Sequence, residues 1–357
     1  MLADVTLAIS RARSYLLDHA EQQFVETRHV MRFPHAAGFS GLREEQASDV
    51  FTRAVLASVL FDIAELEIDV TFKARLFDIV QREADHVARA RLSDRSGGWS
   101  YFPELPELPP DADSLSAAIQ LFARAAPHHA PLCDEPISLA LNNVRPDASL
   151  STWIIGAKDA PAQRAIMEHG VNHYWGNGAD VDVCANFYFA LMIRDRLKYE
   201  TAIARGAQYV LSSQQPDGSW DSTWYFPQTY GIVLCLRLLR ELSMGQLAIS
   251  RSLRFLETSQ RSDGGWGVWQ TVPLDTSLAL WIFGLAKVRE LDERIKRGIK
   301  VLLDYQTNEG FWNESPWIKM PVGRAEGVVQ RIATYQSAVL TTTFCLRALL
   351  LSRSWLG

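Results

Sequence analysis

The chain has 357 residues, 48% hydrophobic and 22% charged, with a formal net charge of −5. Those values suit a soluble globular protein with a sizeable core, and the negative balance gives no electrostatic reason to bind nucleic acid. Four scattered cysteines, Cys133, Cys184, Cys235 and Cys345, form no CxxC pair and point to a reduced, cytoplasmic chain.

The N-terminal stretch "MLADVTLAISRARSYLLDHAEQQ" reads as an amphipathic helix and not as a signal peptide, because no apolar core follows a basic start. A second stretch, "SDVFTRAVLASVLFDIAEL", is apolar almost all round but is cut by Asp62, and no apolar run is long enough to span a bilayer. Peripheral membrane contact stays compatible with this pattern, as does an oligomer. Helices apolar on every side recur from near Asp111, Asp180, Gln228, Asp275 and Gln336. Each follows an amphipathic stretch such as "ISRSLRFLETSQ" or "ERIKRGIKVLLDYQ".

Between the two helix types a short motif repeats. "QQPDGSW" begins at Gln214, "QRSDGGW" at Gln260 and "QTNEGFW" at Gln306, all fitting Q-x-x-[D/E]-G-x-W at a constant interval of 46 residues. Degenerate copies are "DRSGGWSYF" at Asp94–Phe102 and "NVRPDASLSTW", ending at Trp153. A fixed period marks a repeat architecture. Six pairs of one wet and one buried helix predict a single-domain (α/α)6 toroid over 1–357, all-α and without a sheet. In it the Gly makes the turn, the Gln and the acid bond loose backbone groups, and the Trp covers the hairpin end.

The repeat resembles the QW motif of squalene–hopene and oxidosqualene cyclases and, more broadly, the prenyltransferase and squalene cyclase repeat superfamily. That resemblance implies an α/α toroid. Its members include class II terpene cyclases, protein prenyltransferase β subunits and non-catalytic relatives. In the cyclases a D-x-D-D or D-x-D-T motif opening an inner helix supplies the proton that starts cyclisation. Here "PPDADSLSAAI" matches with Asp111 and Asp113, while Ser114 departs from the pattern. By the resemblance Asp113 is the donor and Asp111 tunes it. Read from the residues alone, an Asp after Pro-Pro is an N-cap.

In "DVDVCANFYFAL", Asp182 and Cys184 match the D-x-C element that supplies zinc ligands in the prenyltransferase β subunits. No His follows His173, so the third ligand is missing and no metal is expected. Asp180 or Asp182 then caps its helix, Cys184 packs within it, and Asp275 is likewise a cap.

Aromatic faces stabilise a carbocation without reacting with it. The candidates are Trp99, Tyr101, Phe102, Trp153, Phe187, Tyr188, Trp224, Tyr230, Trp269, Trp281, Trp317 and Tyr335. The stretch "SPWIKMPVGRAEGVVQRIATYQ" reads as a long loop carrying Lys319, Arg324 and Arg331, with Arg324 a candidate ligand for a substrate diphosphate.

Together these features favour a class II-type cyclase of a polyprenyl substrate, its pocket being the lumen or lying at a dimer interface. Protonating an alkene or epoxide needs no cofactor, though a diphosphate substrate would bring Mg²⁺. The alternatives are a non-catalytic toroid that binds a lipid or protein, and a carbohydrate-active (α/α)6 enzyme, against which the QW-like repeats argue.

Overall fold

The computed structural model describes residues 1–288, 292–324, 329 and 331–356. The chain opens with α1 (Leu2–Glu21), strands β1 (His29–Arg32) and β2 (Glu45–Ser48), α2 (Val50–Leu66) and α3 (Val70–Arg89). It continues through α4 (Ala112–Ala125), α5 (Asp134–Asn142), α6 (Pro161–Gly170), α7 (Val181–Asp195), α8 (Glu200–Ser212) and α9 (Gln228–Glu241). Then come α10 (Gln246–Ser259), α11 (Pro273–Leu285), α12 (Glu293–Tyr305), β3 (Ser315–Val322), β4 (Arg331–Ser337) and α13 (Ala338–Leu356).

Helices α2, α4, α7, α9, α11 and α13 pack side by side in that order, and α13 returns to α2 to close a ring. Around it stand α1 on α13, α3 on α2 and α4, α5 on α4, α8 on α7 and α9, α10 on α11, and α12 on α11 and α13. Patterning explains the two layers. In α12 one face of Ile295, Gly298, Ile299, Val301 and Leu302 is buried, whereas α11 is buried from Leu274 through Phe283 without a break. This is the expected toroid of six hairpins, with α6 inserted between the third inner helix and the loops before it.

The repeated motif fastens neighbouring hairpins in the same way each time. Trp220, Trp266 and Trp312 donate their indole N–H to the carbonyls of Val210, Leu256 and Leu302, each in the outer helix just before the turn. Gln214, Gln260 and Gln306 each donate one amide N–H to their own turn, at Gly218, Gly264 and Gly310. Each gives a second bond to the next outer helix, at Ala248, Arg294 and Ala8 respectively. The last of these crosses from the end of the chain to its beginning. The three glycines have φ near +95°, and a Cβ there would run into that same neighbouring helix.

The weakest copy keeps this turn but not at the expected residues. Ala148 takes the left-handed position with φ +68°, Asp147 accepts Ser149 N–H as Asp217 accepts Ser219 N–H, and Leu150 occupies the place of the Trp. Trp153 is therefore outside the motif and free for the lumen.

Two antiparallel hairpins, β1–β2 and β3–β4, correct the expectation of no sheet. The second occupies much of the stretch read as a loop. Its signal is the period-two burial of β4, where Tyr335 and Ser337 point inward and Thr334 and Gln336 outward. Strand β3 pairs with the loop before α9, through Phe226 N–H to Trp317 O and Lys319 N–H to Trp224 O, and so roofs one end of the ring. Among the described residues no helix is long and apolar enough to cross a membrane.

Replacing Gln306 with Ala removes one bond to its own turn at Gly310 and one to α1 at Ala8, and is expected to lower unfolding free energy by about 1–3 kcal/mol. Gly310→Ala should cost more, because its Cβ would lie 2.6 Å from Arg11 O at a φ that Ala tolerates poorly. Denaturant unfolding of both variants checks the order.

Candidate active site

The inner helices all start at the roofed end, so the acids of their first turns converge there. Asp111 is the N-cap of α4: its Oδ1 accepts Ser114 N–H at 2.6 Å and its Oδ2 accepts the Ser114 hydroxyl at 2.9 Å. The residue that departs from the acidic motif thus bonds the first acid. Asp113 caps nothing. Its Oδ1 accepts from Asn186 Nδ2 of α7 at 2.5 Å, and its Oδ2 accepts from the Tyr225 hydroxyl.

A cavity of about 50 Å³ lies against these two carboxyls, walled by Phe51, Tyr101, Trp153, Trp224, Tyr225 and Met320 among others. Beyond it Trp317, fully buried, fills the middle of the lumen. Its ring centroid lies 5.8 Å from Phe51, 5.7 Å from Tyr230 and 6.2 Å from Phe344, and its indole N–H has no partner among the described residues. On the far side a second cavity of about 30 Å³ touches Asn186, Tyr230, Trp281 and Phe344.

Burial dominates the electrostatics. It pushes Asp111 up to about 7 and Asp113 up to about 6, the latter restrained by the bonds from Tyr225 and Asn186 that favour the carboxylate. Asp182 and Asp275 are each raised to about 7 by burial as well. Asp180 behaves differently. Burial would raise it, but the Arg324 guanidinium at 2.7 Å and the Thr223 and Thr152 hydroxyls hold it below the usual carboxylate range.

Several expected roles are corrected by this geometry. Asp180 does not cap α7; it binds Arg324, Thr152, Thr223 and the Trp224 indole, tying the roof to the ring. Arg324 is therefore engaged and is not presented to a diphosphate. Asp182 bonds Ser222 and its own neighbour's N–H, and Asp275 has only Thr229 at 3.5 Å among the described residues, so neither is the expected cap. The Cys184 sulfur packs against the backbone of Leu150.

Of the aromatic candidates, Tyr101, Trp153 and Trp224 line the upper cavity and Tyr230 and Trp281 the lower, with Trp317 between. Tyr335 braces Trp317 and donates to Thr27 O, and Phe102 packs behind Tyr101. Trp99 is a repeat fastener bonded to Val87 O. Tyr188 packs outward on Gly206 and bonds Ala148 O, with Phe187 beside it. Trp269 is 78% exposed, because the loop after its motif carries it outside the ring.

Asn186, Tyr225 and Phe51 escaped the sequence reading. Asn186 had a signal: an amide in a helix apolar on every side requires a buried partner. Tyr225 had none, since its reach to Asp113 depends on the roof. The arrangement can hold a neutral carboxyl beside apolar surface, stabilise its conjugate base through two donors, and offer ring faces to a cation.

Residues 176–323 match the family model of the squalene–hopene cyclase C-terminal domain. Among solved structures the chain is similar to the type II terpene cyclase MstE from Scytonema, at 18% identity and TM-score 0.71, covering 98% of this chain and 99% of that one. An Asp-to-Asn variant of MstE in complex with the substrate geranylgeranyl dihydroxybenzoate matches at 17% identity and TM-score 0.71, with 99% and 98% covered. The ent-copalyl diphosphate synthase from Streptomyces platensis matches at 18% identity and TM-score 0.56, over 85% of this chain and 51% of that one. A search of curated proteins finds no match.

Asp275 gives a test of the buried-acid electrostatics that does not need a substrate. Its folded pKa is raised, so the stability it allows is present at low pH and lost as pH rises towards about 7. Asp275→Asn should therefore gain on the wild type by up to about 1.4 kcal/mol per pH unit between roughly pH 4 and 7. Paired melting curves across that range check the slope.

Proposed function

We propose that this chain is a member of the prenyltransferase and squalene cyclase repeat superfamily with the activity of a class II-type terpene cyclase acting on a polyprenyl substrate. The observation that carries this reading is the placement of Asp113. It is buried, it is not used as a helix cap, two donors bond it, and it faces an apolar aromatic cavity.

An alkene is a weak base, so a strong acid must protonate it out of reach of water. Asp113 gives its proton to one carbon of a terminal alkene, or to an epoxide oxygen. The π electrons, or the breaking C–O bond, leave a cation on the adjacent carbon. Asn186 and Tyr225 stabilise the carboxylate left behind, which makes Asp113 a stronger acid at the moment of transfer. Ring closure moves the positive charge along the substrate, past faces such as Tyr101, Trp153 and Trp224, until loss of a proton ends the sequence. Asp111, raised by burial and in part by the neighbouring Asp113, orders the start of α4. MstE offers a precedent at the level of fold for such chemistry in a chain of this length.

Asp113→Asn should remain folded with near-normal melting and lose cyclisation by several orders of magnitude, while Asp111→Asn loses less. Turnover should fall about tenfold per pH unit as pH rises beyond the donor's pKa of about 6, because only the protonated form is active. Tyr225→Phe removes a bond that favours the carboxylate, so its alkaline limb should move to higher pH and its plateau rate should drop. Product formation from geranylgeranyl and shorter polyprenyl substrates measures all three variants. If Asp113→Asn turns substrate over at the wild-type rate, the catalytic reading fails and a binding toroid replaces it.

A further inference from the structure

Polar residues that interrupt the inner helices gather at the opposite, C-terminal end of the ring. Arg124 of α4 donates to Asp62 Oδ1 of α2 at 2.5 Å, and Arg347 Nε of α13 donates to Asp62 Oδ2 at 3.2 Å. Arg237 of α9 has no ion-pair partner among the described residues. It donates to Gln120 Oε1 at 3.0 Å and lies over the Phe189 ring at 4.1 Å. Arg347 stacks over Trp281 at 3.6 Å, and its Nη1 is buried without a hydrogen-bond partner.

Three guanidinium groups thus surround one partly buried carboxylate, which pairs with two of them; Glu241 lies at the exposed rim. Burial pushes Arg237 down to about 10, and it lowers Arg347 although Asp62 draws that group up. Dehydrating a cation without supplying a counter-charge costs free energy, and a bound anion would return it. The same residues wall a cavity of about 280 Å³. A smaller cavity shares Asp62, Arg237 and Trp281 with it and leads inward to Asn186, the residue that bonds Asp113.

We propose that this mouth is the subsite for an anionic head group, a phosphate or a carboxylate, carried on an apolar chain whose far end reaches Asp113. Guanidinium forks suit both anions, since each offers paired oxygens to parallel N–H donors. The apolar chain's fate rests on the cyclase reading; the binding of the anion does not. At the roofed mouth the cation Arg324 is already held by Asp180. On the wall of the lower mouth Arg237 has no ion-pair partner among the described residues.

The test is equilibrium binding by tryptophan fluorescence, with geranylgeranyl diphosphate, geranylgeranoic acid and neutral geranylgeraniol as probes. The wild type should bind at least one of the two anions about tenfold or more tightly than the alcohol. The anion with the larger preference names the source. Arg347→Met and Arg237→Met should each remove most of that preference and leave the alcohol's affinity unchanged; two variants guard against one that does not fold. Equal affinity for all three probes, or an undiminished preference in both folded variants, overturns the proposal. Asp113→Asn should keep the full anion preference. A wild type that shows the preference but cyclises nothing refutes the cyclase reading and leaves the anion subsite standing.

Discussion

One kind of side-chain amide holds three of the junctions of this ring, at Gln214, Gln260 and Gln306. A glutamine at the end of an outer helix satisfies its own turn with one N–H and the next outer helix with the other. A lone helical hairpin leaves one inner helix apolar on faces it cannot cover itself. Only neighbours on both sides bury those faces, and the last hairpin has a neighbour only if the ring closes. The bond from Gln306 to Ala8 is part of that closure. The site depends on it too, because Asp113, Asn186 and Tyr225 come from three different repeats and meet only when the inner helices stand in register.

Much of this was legible because it is periodic. The constant spacing of the QW-like turns and the alternation of wet and dry helices specified the ring and the starts of its six inner helices. What escaped was not periodic. The β3–β4 hairpin takes its form from contacts with the loop before α9, and Trp317 and Tyr225 take their places from that hairpin. Caps were misassigned for a related reason. An acid at a helix start bonds the backbone when nothing better is near, yet Asp180 found an arginine 144 residues away. Asn186, Gln120, Arg237 and Arg347 were also passed over in the sequence, although a polar residue in a helix apolar on every side is a signal, and all four are linked or clustered in the lumen.

The two ends of the ring are electrically unlike. At the roofed end the N-termini of the inner helices present partial positive charge, which favours carboxylates by up to about 2 kcal/mol in buried geometry. Burial nevertheless keeps Asp275 protonated to about pH 7, a shift of about 3 units and so about 4 kcal/mol in the opposite sense. Desolvation therefore outweighs the dipoles at Asp111, Asp182 and Asp275, whereas Asp180 at the same end is held ionised by Arg324. At the other end the arginines keep their charge, since even the lowered value of about 10 for Arg237 lies well above neutrality.

Trp317 packs on one side against Phe51 and Tyr225, which line a cavity of about 50 Å³, and on the other against Tyr230 and Phe344, near a cavity of about 30 Å³. Pockets for organic ligands are roughly 300–1,000 Å³, so a long chain fits the lumen only after the indole has moved. The orphaned N–H shows that the plugged arrangement is itself imperfect, which lowers the cost of leaving it. Observed affinity for any long ligand is then the intrinsic affinity multiplied by the fraction of molecules already unplugged. Slow binding that saturates with ligand concentration would report the rate at which the tryptophan vacates the channel, a gate timed by the protein and not by its guest.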